Sequence, residues 1–194
     1  TVRMNCSVGK AKNGDLLVLC GGWSGRGPAG DPQKPPDLRT RTLRPIICRS
    51  ANGGRTWQEE GEIPGPPPTV MGRDNEYIPF GQIQIGADGS LGAAVYLVRG
   101  NRREARFLQS LDDGKTWNDR IMLNPSGNET ALLHCGGGRW IAASREFNLG
   151  SNDMRLEQFV STDDARSWWR VRALTLGRQI TGHLLRLRDG RTLL

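Results

Sequence analysis

Histidine is scarce in this chain: His134 and His183 are the only two. The four cysteines, Cys6, Cys20, Cys48 and Cys135, include no C-x-x-C pair. Together these shortages argue against a zinc site, and no metal or other cofactor is expected. Tyrosine is equally thin, with Tyr77 and Tyr96 alone. No apolar run approaches the roughly 20 residues of a membrane-spanning helix, so no membrane span is expected. No stretch carries a helical period of apolar residues. Compact Lys/Arg runs and nucleic-acid motifs are missing as well, so a nucleic-acid partner is not expected. The net charge of +7 then reads as a basic surface, or as a field that attracts anions such as acidic sugars.

Glycine and turn residues are abundant, and they are ordered. Ser110 to Trp117 reads SLDDGKTW. Asp112 suits a turn because its carboxylate can accept bonds from nearby backbone N–H groups. Gly114 suits it because a positive φ carries no steric penalty without a Cβ. Thr116 offers a hydroxyl to the same carboxylate, and Trp117 gives the returning strand an apolar anchor. The phrase recurs as SANGGRTW over Ser50–Trp57 and as STDDARSW over Ser161–Trp168. The three starts are 60 and 51 residues apart. A repeat near that period signals an array or propeller rather than a single hairpin.

Short apolar runs sit around each octamer at strand length. Leu16–Cys20, Arg44–Arg49, Tyr77–Ile85, Leu91–Val98, Thr130–Cys135, Trp140–Ser144 and Leu156–Ser161 all read as strands. Asn13-Gly14, Asp88-Gly89, Gly136-Gly137-Gly138 and Asp189-Gly190 read as the turns between them. Gly21 to Asp37 reads as a long irregular loop, and loops of that length are often functional. Three of the four cysteines fall in apolar runs and are expected as free buried thiols. Cys6, Cys20 and Cys48 share one repeat, which leaves a disulfide between neighbouring strands open.

The pattern S-x-D-x-G-x-T-W is the Asp box, and the chain resembles the sialidase-like, Asp-box β-propellers over essentially its whole length. The central copy matches fully. The first has Asn52 for Asp, and the third has Ala165 for Gly and Ser167 for Thr. The resemblance implies an all-β, six-bladed propeller, of which about three and a half blades are present. Blade one is expected over about 1–63, blade two over 64–124, blade three over 125–176, and the start of a fourth over 177–194. The remainder of a propeller is the expected structural partner, because propellers close with about 4 to 8 blades. The boxes themselves are expected to be turn staples on the rim away from any substrate, with an exposed Asp113 or Asp164 as the only candidates for a surface ligand.

Sialidases grip a carboxylate with arginines, whose planar guanidinium groups make paired, charge-assisted bonds. By resemblance, Arg3 stands where the family's first arginine opens the innermost strand of blade one. An arginine fraying near the terminus is the plainer reading of it. Asp31 stands where the acid/base aspartate falls, with Asp37, Trp23 and Arg26 nearby, although Asp-Pro also starts ordinary turns. Arg73 and Asp74 open the inner strand of blade two and could meet a polar ligand. The fullest match is Glu129 with Arg145. The family has a glutamate at the start of an inner strand, a glycine turn, and an arginine at the end of the next strand. The family's glutamate activates a tyrosine nucleophile and its arginine grips the carboxylate. An interstrand ion pair is the plainer alternative. Glu146 and Asn148 extend that rim, and Arg178 is a further rim arginine. Neither Tyr77 nor Tyr96 matches the family's nucleophile. Asn5-Cys6-Ser7 and Asn128-Glu129-Thr130 fit the glycosylation sequon.

Two functions follow. One is an exo-acting glycoside hydrolase of sialidase type that cleaves a terminal acidic sugar. The other is a non-catalytic carbohydrate- or protein-binding propeller. The resemblance also implies an extracytoplasmic location.

Overall fold

The computed structural model describes residues 2–24, 41–66, 76–99, 102–147 and 153–194. Among them there is no helix, and within each four-stranded sheet neighbouring strands pair antiparallel. The first sheet is β1 (Val2–Lys10), β2 (Leu16–Ser24), β3 (Arg41–Ser50) and β4 (Gln58–Glu62). The second is β5 (Ile78–Ile85), β6 (Leu91–Arg99), β7 (Arg102–Ser110) and β8 (Asn118–Asn124). The third is β9 (Gly127–Gly136), β10 (Arg139–Glu146), β11 (Leu156–Ser161) and β12 (Trp169–Ala173). A two-stranded piece, β13 (Leu185–Arg186) and β14 (Thr192–Leu193), follows. Within each four-stranded sheet the strands pair in chain order, as a propeller blade does.

The first two sheets are joined at their inner strands. β1 and β5 pair in parallel, with Ser7 opposite Gly81 and Val8 opposite Gln82. Glycine makes this approach possible: a Cβ on Gly9 would lie 2.5 Å from the Cβ of Ile83. The order of the resulting eight strands is β4-β3-β2-β1-β5-β6-β7-β8.

Packing follows the two-residue period of strands. Leu91, Ala93, Val95 and Leu97 of β6 face the first sheet and pack with Leu17, Leu19, Ile47 and Trp117. Ala94, on the opposite face of β6, packs with Phe107, Leu132, Trp140 and Phe159 between the second and third sheets. Ala131, Leu133 and Ala143 form the next layer with Leu184. β6 is therefore buried on both faces, which explains the nearly unbroken apolar run LGAAVYLV.

Several boundaries differ from the sequence reading. β2 runs on through Gly21 to Ser24, into the stretch read as loop, because it keeps pairing with β1 and β3. The run Val171–Leu176 reads from sequence as the last strand of the third sheet, but that strand is Trp169–Ala173; it starts directly after the box and pairs with β11 across a register shift between Gln158 and Phe159. None of the four cysteines is in a disulfide, as expected, but they are half-buried rather than buried.

Candidate functional site

The octamers fold as the turn chemistry demands. In the second, Asp112 accepts bonds from the Thr116 amide at 2.8 Å and the Thr116 hydroxyl at 2.6 Å, while Ser110 donates to it at 2.8 Å. The Ser110 hydroxyl in turn accepts the Gly114 amide at 2.8 Å. The acceptor role reaches four residues on. Gly114 sits at φ +88°, and Ala165 in the third copy takes φ +61°, a conformation costly for a residue with a Cβ. Burial works against ionisation of Asp112, but the bonds from Thr116 and Ser110 outweigh it and hold the carboxyl at about 2. Asp163 is held low too, chiefly by the Ser167 hydroxyl.

Asp113 and Asp164 are not open ligand positions. Asp113 accepts the Lys12 and Asn13 amides at 2.6 and 3.2 Å, so the second octamer caps the β1–β2 turn of the first sheet. Arg49 adds to the link by donating to the Asp113 carbonyl at 2.8 Å. Asp164 accepts the Trp140 indole N–H at 2.8 Å.

Register separates these turns from the candidate site. Ser50 pairs with Leu16, which pairs with Lys10, whereas Arg3 pairs with Gly22 near the other end of the same strands. In the third sheet Ser161 pairs with Trp140, whereas Arg145 pairs with Leu156. Arg3, Glu129 and Arg145 therefore lie at the strand ends opposite the octamers.

Glu129 and Arg145 meet. Arg145 Nη1 donates to Glu129 Oε2 at 2.8 Å, and both side chains are mostly buried. A β-bulge brings them together: the β9–β10 register shifts between Ser144, opposite Thr130, and Glu146, opposite Gly127. Bulges of this kind re-aim side chains at strand ends. A buried polar network holds it in place. Thr130 donates to Ser144 Oγ at 2.9 Å, Asn124 Nδ2 donates to the same oxygen at 3.0 Å, and Asn124 Oδ1 accepts the Ser126 amide at 2.9 Å. Among the described residues, Arg145 Nε and Asn128 Oδ1 are buried with no hydrogen-bond partner. Buried polar atoms left this way are few in native structures, and each calls for a physical reason.

Two residues that the sequence reading missed join this pair. Phe147 follows β10, and its ring lies 4.8 Å from the Arg103 guanidinium and 6.0 Å from that of Arg145. Arg103 comes from the second sheet and Arg145 from the third, so the ring bridges two sheets through cation–π contacts. Burial lowers the Arg103 pKa below its ordinary value, although a guanidinium stays charged at neutral pH. No sequence signal pairs residues 103 and 147; only the packing of adjacent sheets does.

Arg3 lies in β1 at the same strand end. Arg178 is exposed, sits at φ +70°, and donates its amide to the Met154 carbonyl just ahead of β11. Asp31, Arg73 and Asp74, together with Arg26, Asp37 and Asn148, lie outside the described residues. Tyr77 is 3 % exposed and donates its hydroxyl to Asp119 at 2.7 Å; Tyr96 is 5 % exposed. Neither is presented as a nucleophile. Asn128 is also buried, so its sequon is not displayed on the folded surface. Among the described residues no cluster of His, Cys, Asp and Glu could hold a metal ion.

No family model and no curated protein matches the chain. Solved structures do. A protein of unknown function from Dyadobacter fermentans is 24 % identical with a TM-score of 0.74, over 96 % of this chain and 54 % of its own. The α-L-arabinanase of Penicillium chrysogenum, solved with arabinobiose, is 19 % identical with a TM-score of 0.65, over 98 % and 56 %. Trypanosoma rangeli sialidase is 18 % identical with a TM-score of 0.65, over 98 % and 33 %. The chain thus spans about half the length of the first two and a third of the last. At these identities the likeness is one of fold, and the chain has the fold of the sialidase-like β-propellers.

Proposed function

We propose that this chain carries part of the sugar site of a sialidase-type glycoside hydrolase, which acts from the end of a glycan on a terminal acidic sugar. The observation that supports it is the bulge-held Glu129–Arg145 pair, with a buried Arg145 Nε left over and Arg103 beside it. Arg145 would grip the sugar carboxylate by charge-assisted bonds. Glu129, released from it, would polarise a tyrosine nucleophile in the tyrosine variant of the two-carboxylate scheme. That tyrosine is neither Tyr77 nor Tyr96, both of which are buried. Asp31 is the proposed acid/base, and Arg3, Arg73, Asp74 and Arg178 the proposed contacts around the rim. The proposed blades are 1–63, 64–124, 125–176 and the start of a fourth over 177–194, with further blades as the partner. An extracytoplasmic location belongs to the same proposal.

A second reading takes a neutral sugar, and the arabinanase likeness, as good as that to the sialidase, favours it. Binding of sialyllactose and arabinobiose, followed by calorimetry on this chain, separates the two. Sialyllactose binding that weakens roughly 10- to 100-fold in Arg145→Ala supports the first, since one charge-assisted bond is worth about 1.5–3 kcal/mol. Arabinobiose binding alone supports the second, and binding of neither returns the chain to a protein-binding propeller. A fluorogenic sialoside should not turn over on these 194 residues, for want of the nucleophile.

A further inference from the structure

The first sheet has one face packed on the second sheet and one face turned away from it. Leu17, Leu19 and Ile47 lie on the packed face. Cys6, Cys20 and Cys48 lie on the other. Cys6 of β1 is the direct register partner of Cys20 of β2. Cys48 of β3 is opposite Val18, two residues from Cys20 and with no register shift between, so all three side chains leave the sheet on one side. The Cys6 and Cys20 sulfurs are 3.4 Å apart. Residues directly opposed on antiparallel strands have Cα atoms about 4.5–5.5 Å apart. That falls within the roughly 4.4–6.8 Å that disulfides span, so closure needs rotation about the side chains and no backbone movement. Cys135 stands apart in the third sheet, its sulfur 3.9 Å from the Leu133 carbonyl.

We propose that Cys6 and Cys20 form an oxidisable dithiol that closes a cross-strand disulfide, with a small-molecule disulfide such as oxidised glutathione as the oxidant. The thiolate of one cysteine attacks a glutathione sulfur, forming a mixed disulfide and releasing one glutathione thiol. The second cysteine, already in contact, attacks the protein sulfur of that mixed disulfide and releases the other glutathione. Two protein thiols are oxidised, one glutathione disulfide is reduced to two thiols, and the two protons leave with them. Burial, reinforced by the contact with Cys20, pushes the Cys6 thiol up to about 11, so Cys6 is a neutral thiol at neutral pH and loses its proton only as it is oxidised. The link would tie together the two inner strands of the first sheet, including the one on which Arg3 stands.

The test is to equilibrate the purified chain with a glutathione redox buffer, then count thiols and map peptides without reduction. The expected product has lost two of its four thiols and about 2 Da, the mass of two hydrogens. Its linked peptides carry Cys6 and Cys20, and Cys48 and Cys135 still titrate. A 14-residue separation should raise the midpoint of thermal unfolding by roughly 5–10 °C, reversibly on reduction. Cys6→Ser should abolish both changes, and Cys48→Ser should leave both intact. If Cys6→Ser does not fold, the peptide map of the unsubstituted chain and of Cys48→Ser still decides. Four free thiols in excess oxidant, glutathione adducts without an internal link, or a Cys20–Cys48 link would each overturn the proposal.

Discussion

The first and second octamers share the Ser, Gly, Thr and Trp that shape the turn and differ greatly in surroundings. Both close the same turn: Thr56 donates its amide to Asn52 at 3.0 Å, and Thr116 donates its own to Asp112 at 2.8 Å. Both tryptophans donate their indole N–H to the glycine carbonyl at 3.1 Å. Yet Trp57 is 43 % exposed and Trp117 only 6 %. Trp117 packs among Leu17, Leu19 and Leu91, at the contact between its own sheet and the preceding one. Asp113 caps a turn of that same preceding sheet, whereas Gly53 at the matching place has no atom that a Cβ would meet within 4 Å. Among the described residues no sheet precedes the first. The octamer is therefore a turn within its own sheet and a bracket onto the one before. The second role exists only where that neighbour does.

The sharpest way to break this comparison is to remove the two tryptophans in turn. Trp117→Ala should cost about 3–5 kcal/mol, the usual range for a buried aromatic. Trp57→Ala should cost about 1 kcal/mol, mostly its one hydrogen bond. Urea unfolding of both variants gives the numbers, and equal losses would show that the octamer acts only within its own sheet.

Acid should divide the copies next. The Asp112 carboxyl is depressed from an ordinary 3.8 to about 2 in the folded chain. A depressed carboxyl contributes stability above its unfolded pKa and loses it as the pH falls through the folded one. The second and third turns should therefore hold above about pH 4 and loosen on the way down to about 2, since Asp163 is depressed as well. Asn52 has no proton to gain. The amides of Thr116 and Ser167 should shift in that window in NMR spectra, and that of Thr56 should not. A matching shift at Thr56 would mean that the whole sheet, rather than the turn, is titrating.

The smallest effect separates the second copy from the third. The Trp168 indole N–H is buried without a hydrogen-bond partner among the described residues, while that of Trp117 is bonded. Trp117→Phe should lose about 1 kcal/mol for the bond, beyond the change in ring size. Trp168→Phe should be close to neutral, because it removes a donor that folding leaves unmet. Chemical unfolding of the pair checks the order, and a larger loss at Trp168 would reverse it.

Sequence alone determined the repeat, the strand spacing and the inner chemistry of each turn. The reason is range: Ser110, Asp112, Gly114, Thr116 and Trp117 act on one another within eight residues, where spacing fixes geometry. The encounter of Glu129 with Arg145 was legible for a similar reason, since one hairpin returns the chain to the same end. The bulge that aims them, and the Asn124–Ser144–Thr130 network beneath it, were not legible. Those depend on a register shift that no local pattern announces. Tertiary structure alone decided that Arg103 and Phe147 share the site, because they come from different sheets. It also turned Asp113 from a surface carboxylate into a cap on Lys12 and Asn13, about a hundred residues away along the chain. The same tryptophan of the turn acquires different burial in two copies because burial belongs to the neighbour against which a sheet packs, and a local sequence does not encode its neighbour.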